Sequence, residues 1–190
     1  LFTNRRIYSY IPICICDNNF TFKKGNDCVT VCGKLESGNY KIRGDISSQF
    51  ITGLLFALPL CGGESKIIVE GDFESASYVD LTLDSLQKFG IKVTRDNNIF
   101  YINGNQKYTP ANVKIEGDAS NAAFFEALNS LGSTVEVMGL RQDSLQGDRV
   151  CVDLFSRLCE DTPVISIADC PDLAPIMMTV AAAKNGAVFT

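Results

Sequence analysis

A mixed α/β fold of repeated βαβαββ units is the architecture this sequence predicts, and three observations carry the prediction. Short strand-like stretches alternate with helical ones along the chain, as in folds that pack helices against sheets. One plan recurs: "YKIRGDISSQFITGLLFALPL" from Tyr40 and "VKIEGDASNAAFFEALNSLG" from Val113 share a short strand with Lys-Ile, then Gly-Asp, a serine and an apolar helix. A third version, "PVISIADCPDLAPIMMTVAAAKNG" from Pro163, keeps strand, aspartate and apolar helix without the glycine.

The elements follow in order. The first opening leads into a helix whose apolar residues, Phe50, Ile51, Leu54, Leu55, Phe56, Ala57 and Leu58, fall on every face, the signature of a helix buried on all sides. Next come a strand over Lys66 to Glu70 and an amphipathic helix from about Tyr78 to Phe89, with Val79, Leu83 and Leu86 opposed to Asp80, Asp84, Gln87 and Lys88. Gly90 closes that helix, and strands over Ile91 to Arg95 and Ile99 to Ile102 flank the turn residues Asp96, Asn97 and Asn98. The polar stretch Asn103 to Asn112 reads as a linker. The second unit repeats a strand (Thr134 to Val137) and a helix (Asp148 to Leu158), then passes through "CEDTP" into the third opening without a hairpin. Helices that differ so in polarity imply an arrangement with helices packed inside sheets.

Composition narrows the function. The chain has 190 residues, 46% of them hydrophobic, which is ample for a packed core. A net charge of −5 without a single histidine argues against a nucleic-acid surface and removes the commonest general base and zinc ligand. Acid–base work must fall to Asp, Glu, Lys, Tyr or Cys. The longest apolar run, Phe50 to Cys61, is interrupted by Thr52 and Gly53 and is too short to cross a bilayer. With no visible signal peptide, a cytoplasmic location is expected, and both ends read as cut from something longer. The eight cysteines include the pairs Cys14/Cys16 and Cys28/Cys32, whose spacings depart from the usual zinc knuckle. Reduced, partly buried thiols are expected over a four-cysteine metal site.

The start of the first helix holds more polar side chains than capping needs: Asp45, Ser47, Ser48 and Gln49. Adjacent hydroxyls beside unpaired backbone N–H groups at the positive end of a helix dipole make an anion site that suits phosphate. A simple cap by Asp45 or Ser47 is the alternative that composition alone favours.

The stretches "GDISSQFITGLLFALPL", "SASYVDLTLDSLQKFGI", "EGDASNAAFF", "DSLQGD" and "DCPDLAPIMMTVAAAKNGAVFT" occur in the order found in the EPSP synthase family, the 3-phosphoshikimate 1-carboxyvinyltransferases. The chain resembles that family from about Lys34 to Thr190. The resemblance implies an enolpyruvyl transferase-like inside-out prism of two lobes, with residues 1–114 in the lobe that holds shikimate 3-phosphate and 115–190 in the other. It implies that Ser47, Ser48 and Gln49 bind the phosphate of that substrate, with Gln49 also near phosphoenolpyruvate. Ser75 in "SASYVD" contacts the same substrate, and Tyr78 packs against its ring or closes the site. Asp172 in "DCPDLAP" matches the catalytic proton acceptor for the 5-hydroxyl that attacks C2 of phosphoenolpyruvate, with Asp169 the rival carboxylate and a plain helix cap the bland alternative.

No metal or organic cofactor is implied. The partners the resemblance implies are the two small anions, with neither nucleic acid nor membrane expected, and a monomer is the state expected of the full-length form. The Lys and Arg clusters that two anionic substrates demand are mostly missing here; Arg5, or Arg6, in "TNRRIYSYI" is the one candidate, with solvated surface arginine as the alternative. The expectation is a central portion of an enolpyruvyl transferase, inactive alone. A sibling acting on UDP-N-acetylglucosamine is the runner-up, and a non-catalytic anion-binding βαβαββ module is the reading from another class.

Overall fold

The computed structural model describes residues 21–24 and 29–190, with side-chain surroundings from Cys32 onward. Arg5, Arg6, Cys14, Cys16 and Cys28 lie outside the described residues. The chain forms two compact units: one takes in the described residues as far as Glu74 together with Thr82–Ala111, the other Ser75–Leu81 with Asn112–Thr190. Ser75–Leu81 thus groups with the second unit.

In the first unit, strands β1 (Thr21–Lys24) and β2 (Val29–Cys32) pair antiparallel. Strand β3 (Asn39–Arg43) alternates strictly, with Tyr40 and Ile42 buried and Lys41 and Arg43 exposed, so it packs one face and wets the other. Helix α1 (Ser48–Ala57) and a 3₁₀ turn at Leu58–Leu60 return the chain to β4 (Ser65–Glu70), which runs parallel to β3 with Arg43 opposite Glu70. Gly44 is where this crossover leaves the sheet. A Cβ there would stand 2.4 Å from the Asp72 carbonyl oxygen and 2.8 Å from Val69 Cγ1, so only glycine fits.

Helix α2 (Ala76–Lys88) is followed by the hairpin of β5 (Val93–Asp96) and β6 (Ile99–Ile102), whose turn residue Asn97 has a φ of 52°. The sheet order is β3-β4-β6-β5, so the repeat predicted for this half forms in full. Ile42, Ile67, Phe100 and Ile102 from the sheet are buried, as are Ile51, Leu55 and Leu58 from the crossover.

Two sequence expectations need correction here. Helix α1 is buried along one stripe, Ile51, Leu54 and Leu55, while Phe56 is 42% exposed and nothing lies within 4 Å of a Cβ built on Gly53. An apolar composition states what a helix can bury and not how many neighbours arrive to bury it. The stretch 103–112 is no free linker. The amides of Asn105 and Gln106 donate to the carbonyls of Cys61 and Pro59, that of Thr109 to Phe89, and the Tyr108 hydroxyl to Phe56 at 2.8 Å. Gln106 closes the strap by pairing with both backbone groups of Lys92.

The second unit packs helices α3 (Ala119–Ser130), α4 (Cys151–Arg157) and α5 (Ala174–Ala183) around Ala123, Ala127, Phe155, Leu158, Leu173, Met177 and Val180. The third opening survives as a short parallel pair, β7 (Val164–Ile165) with β8 (Val188–Phe189). The strands expected at Val113 and at Thr134–Val137 do not form: Ile115 is 88% exposed and a single link, Gly117 N–H to the Gly139 carbonyl at 2.8 Å, joins the two segments. That link corresponds to Gly44 N–H to the Glu70 carbonyl in the first unit. There, β4 also has β6 as an antiparallel neighbour, a support that the corresponding segments of the second unit lack.

Candidate functional site

The start of α1 is built by Ser47. With φ −170° and ψ 130° it sits outside the helix, and its hydroxyl accepts the Gln49 N–H at 3.3 Å, capping one of the orphan amides. Asp45 takes no part: Arg43 grips it, with Nε 2.9 Å from Oδ1 and a second contact from Nη2, and that guanidinium holds the carboxyl below its ordinary range. No acidic residue lies in the first turn. Ser48 is half-buried, Gln49 is exposed, and among the described residues neither side chain has a hydrogen-bonding partner. Two uncommitted donors thus sit at the positive end of a ten-residue helix.

The second unit brings Ser75, Tyr78 and Asp172 together. Ser75 precedes α2 with a φ of 58°, a left-handed conformation that costs a non-glycine residue energy; its N–H donates to the Ala168 carbonyl at 3.3 Å, in the segment leading to Asp172. Ser77 Oγ donates to the Asp169 carbonyl at 3.1 Å, so Asp169 contributes backbone to this junction. Asp172 lies exposed in the 3₁₀ turn Pro171–Leu173 that leads into α5, where Pro171 sets the first helical φ. Its carboxylate flanks the Tyr78 hydroxyl. Burial first, then the nearby Asp148 and Asp172 carboxylates, push the Tyr78 phenol above its usual range, so it stays protonated and able to donate.

Sequence reasoning missed Asp148 and Ser120. Asp148 is 1% exposed, with its oxygens 3.2 and 3.3 Å from the Tyr78 hydroxyl, and it also accepts from the Ser120 hydroxyl. Burial pushes its carboxyl up, while the hydrogen bonds from Ser120 and Tyr78 hold it down. The available signal was the Gly-Asp at Gly147–Asp148, at the start of the helix expected over Asp148 to Leu158. Nearby, Gln146 accepts the Ala119 N–H at 2.7 Å and donates to the Gly117 carbonyl at 2.8 Å, locking the second Gly-Asp opening.

Ser47, Ser48 and Gln49 are therefore placed by the first unit, and Ser75, Tyr78 and Asp172 by the second; Arg5 is outside the described residues. Among the described residues Cys32, Cys61, Cys151, Cys159 and Cys170 form no disulfide, and burial raises Cys151 and Cys170 to about 11, too high for ready reactivity. Among the described residues no cluster of His, Cys, Asp or Glu is placed to hold a metal ion, and no helix is long and apolar enough to cross a membrane.

The 3-phosphoshikimate 1-carboxyvinyltransferase of Clostridium kluyveri is 44% identical over 175 residues, covering 83% of this chain and 41% of that protein. The enzyme of the same name from Clostridium perfringens is 39% identical over 185 residues, 88% of this chain and 44% of that protein. The chain therefore spans less than half the length of these relatives. A solved EPSP synthase from Acinetobacter baumannii superimposes with a TM-score of 0.50 at 16% identity, over 81% of this chain and 46% of that one, which establishes the shared fold. Residues 19–160 match the family model described as EPSP synthase (3-phosphoshikimate 1-carboxyvinyltransferase), and the chain belongs to the EPSP synthase family.

Proposed function

We propose that this chain is the central portion of an enzyme that transfers the enolpyruvyl group of phosphoenolpyruvate to the 5-hydroxyl of shikimate 3-phosphate and releases phosphate. The observation that carries the reading is the pair of unclaimed donors, Ser48 and Gln49, behind a Ser47 cap at a helix start free of acidic residues. Such a site binds a phosphate group through backbone N–H, hydroxyl and amide donors together. The relatives' names supply the substrate class.

In the reaction, the substrate 5-hydroxyl adds to C2 of phosphoenolpyruvate as C3 takes a proton; the tetrahedral adduct then loses that proton from C3 and phosphate from C2, leaving the enol ether. Asp172 accepts the hydroxyl proton as the C–O bond forms. Its exposure and its place in a proline-started turn give it reach and a fixed backbone. Tyr78, protonated, offers a phenol edge and face to the substrate ring, and Ser75 a hydroxyl beside it. No net oxidation or reduction occurs and no group carrier intervenes, so the chemistry as written calls for no cofactor.

Residues 1–114 and 115–190 belong to two lobes in this reading, Arg5 is the cationic candidate in the first, and the protein works as a cytoplasmic monomer on small anions. A net charge of −5 fits that picture only if cationic residues elsewhere meet the two substrates. The test is phosphate release from both substrates. The full-length protein should turn over, and the 190-residue chain alone should not. Turnover with a UDP-N-acetylglucosamine acceptor in place of shikimate 3-phosphate, or none with either, overturns the assignment.

A further inference from the structure

Asp148 is the buried titratable group to which this reaction gives no task. It lies in the 3₁₀ turn Gly147–Val150, and Gly147 allows the close approach: a Cβ there would stand 2.5 Å from Ser77 Oγ and 2.6 Å from the Asp169 carbonyl oxygen. The turn is thereby pressed against the start of α2 and the segment before Asp172. Burying a carboxylate is costly unless donors meet it, and an apolar residue of the same size would fill the space at less expense. Here the donors are Tyr78 and Ser120, drawn from two different helices. The phenol is flanked by Asp172 as well, yet it carries one hydrogen and cannot donate to both carboxylates at once.

We infer that Asp148 is a positioning residue: by taking the hydrogen of Tyr78, with Ser120 as its second donor, it fixes the phenol beside Asp172 and leaves the Asp172 carboxylate free to accept the substrate's proton. The inference rests on the reading of Asp172 as the proton acceptor. Were the phenol to turn its hydrogen to Asp172, that bond would stabilise the ionised carboxylate and weaken it as a base. The titratable groups facing Asp148 are Tyr78 on α2, Asp118 at the start of α3, Cys151 on α4, and Cys170 and Asp172 before α5, with Asp169 beside Cys170. None of these is cationic, so Asp148 depends on its two hydroxyl donors to stay ionised.

The experiment is a double-mutant cycle on the full-length protein, reading kcat, KM and the pH profile of kcat. D148N should lower kcat about tenfold with a smaller change in KM, a loss typical of a mispositioned proton-transfer group. Its acidic limb should move to lower pH, because the freed phenol now donates to Asp172. In the Y78F background, adding D148N should change kcat by less than about twofold, since the two residues act as one unit. Independent, multiplying losses in the cycle, or wild-type kcat and an unmoved limb in D148N, overturn the inference. If D148N fails to fold, S120A decides: loss of one donor should lower kcat and move the acidic limb in the same direction as expected for D148N, by a smaller amount, and an unchanged profile overturns the positioning role. D172N keeps the two readings apart. Wild-type turnover in D172N removes the proton-acceptor assignment itself, whereas an inactive D172N with a wild-type-like D148N removes only the role of Asp148.

Discussion

The two Gly-Asp openings, Gly44–Asp45 before α1 and Gly117–Asp118 before α3, share a sequence plan and end in opposite states. In the second copy Asp118 caps the helix by accepting the Ser120 N–H at 3.0 Å, and the Ser120 hydroxyl is spent on Asp148. In the first copy Asp45 is drawn off by Arg43, the helix starts later, Ser47 becomes the cap, and the Ser48 and Gln49 side chains are left without partners among the described residues. One position accounts for the switch. The residue two before the aspartate is Arg43 in the first copy and Glu116 in the second, and Glu116 repels an aspartate and instead accepts from Ser144 at 2.9 Å. A repeat conserves the scaffold, and single charge changes decide whether its helix start faces inward or stays available for a ligand.

The comparison can be broken most severely at its glycines. G44A should destabilise the protein by about 3 kcal/mol, because its Cβ meets backbone that cannot yield, the upper range for overpacking. G117A should cost about 1 kcal/mol, as its nearest neighbours stand 3.1 Å away and the ladder there is already loose. Denaturant titration measures both; equal costs would mean that the two crossovers are packed alike.

A smaller effect separates ligand binding from scaffold. S48A should leave stability within about 0.5 kcal/mol of wild type, as for surface sites without partners. It should also weaken shikimate 3-phosphate binding to the full-length protein about tenfold, the loss of one charge-assisted hydrogen bond. Calorimetric titration checks the second figure, and unchanged affinity would return Ser48 to the scaffold.

The smallest contrast is between the two aspartates. D118A should cost about 1 kcal/mol through the lost cap. D45A, whose carboxylate caps nothing and pairs only in the open, should leave the melting temperature unmoved. A loss from D45A equal to that from D118A would show that the two openings are equivalent after all.

Much of the first half was legible in the sequence because its local signals agree. The alternation Tyr40/Ile42, the Asp96–Asn98 turn and the amphipathic spacing of Val79, Leu83 and Leu86 each specify an element without help from distant residues. Ser47, Ser48 and Gln49 were legible as surplus beyond a cap, and Asp172 only through family resemblance. Asp148 was illegible because its role comes from burial, and burial depends on Gly147 letting a loop approach Ser77 across 70 positions of chain between Tyr78 and Asp148. The strap over 103–109 and the missing second ladder failed to show for the same reason: a polar stretch reads as free, and a strand pattern reads as paired, until neighbours are known.

By itself, then, the sequence determined the repeat, the element types and the surplus of polar groups at the α1 helix start, since these follow from periodicity and side-chain chemistry within a few residues. Only the tertiary structure decided which aspartate caps, which hydroxyls stay free, and that a buried carboxylate stands behind Tyr78. Those outcomes depend on which donors and acceptors from far along the chain arrive within hydrogen-bond distance, and a hydrogen bond forms only at that range.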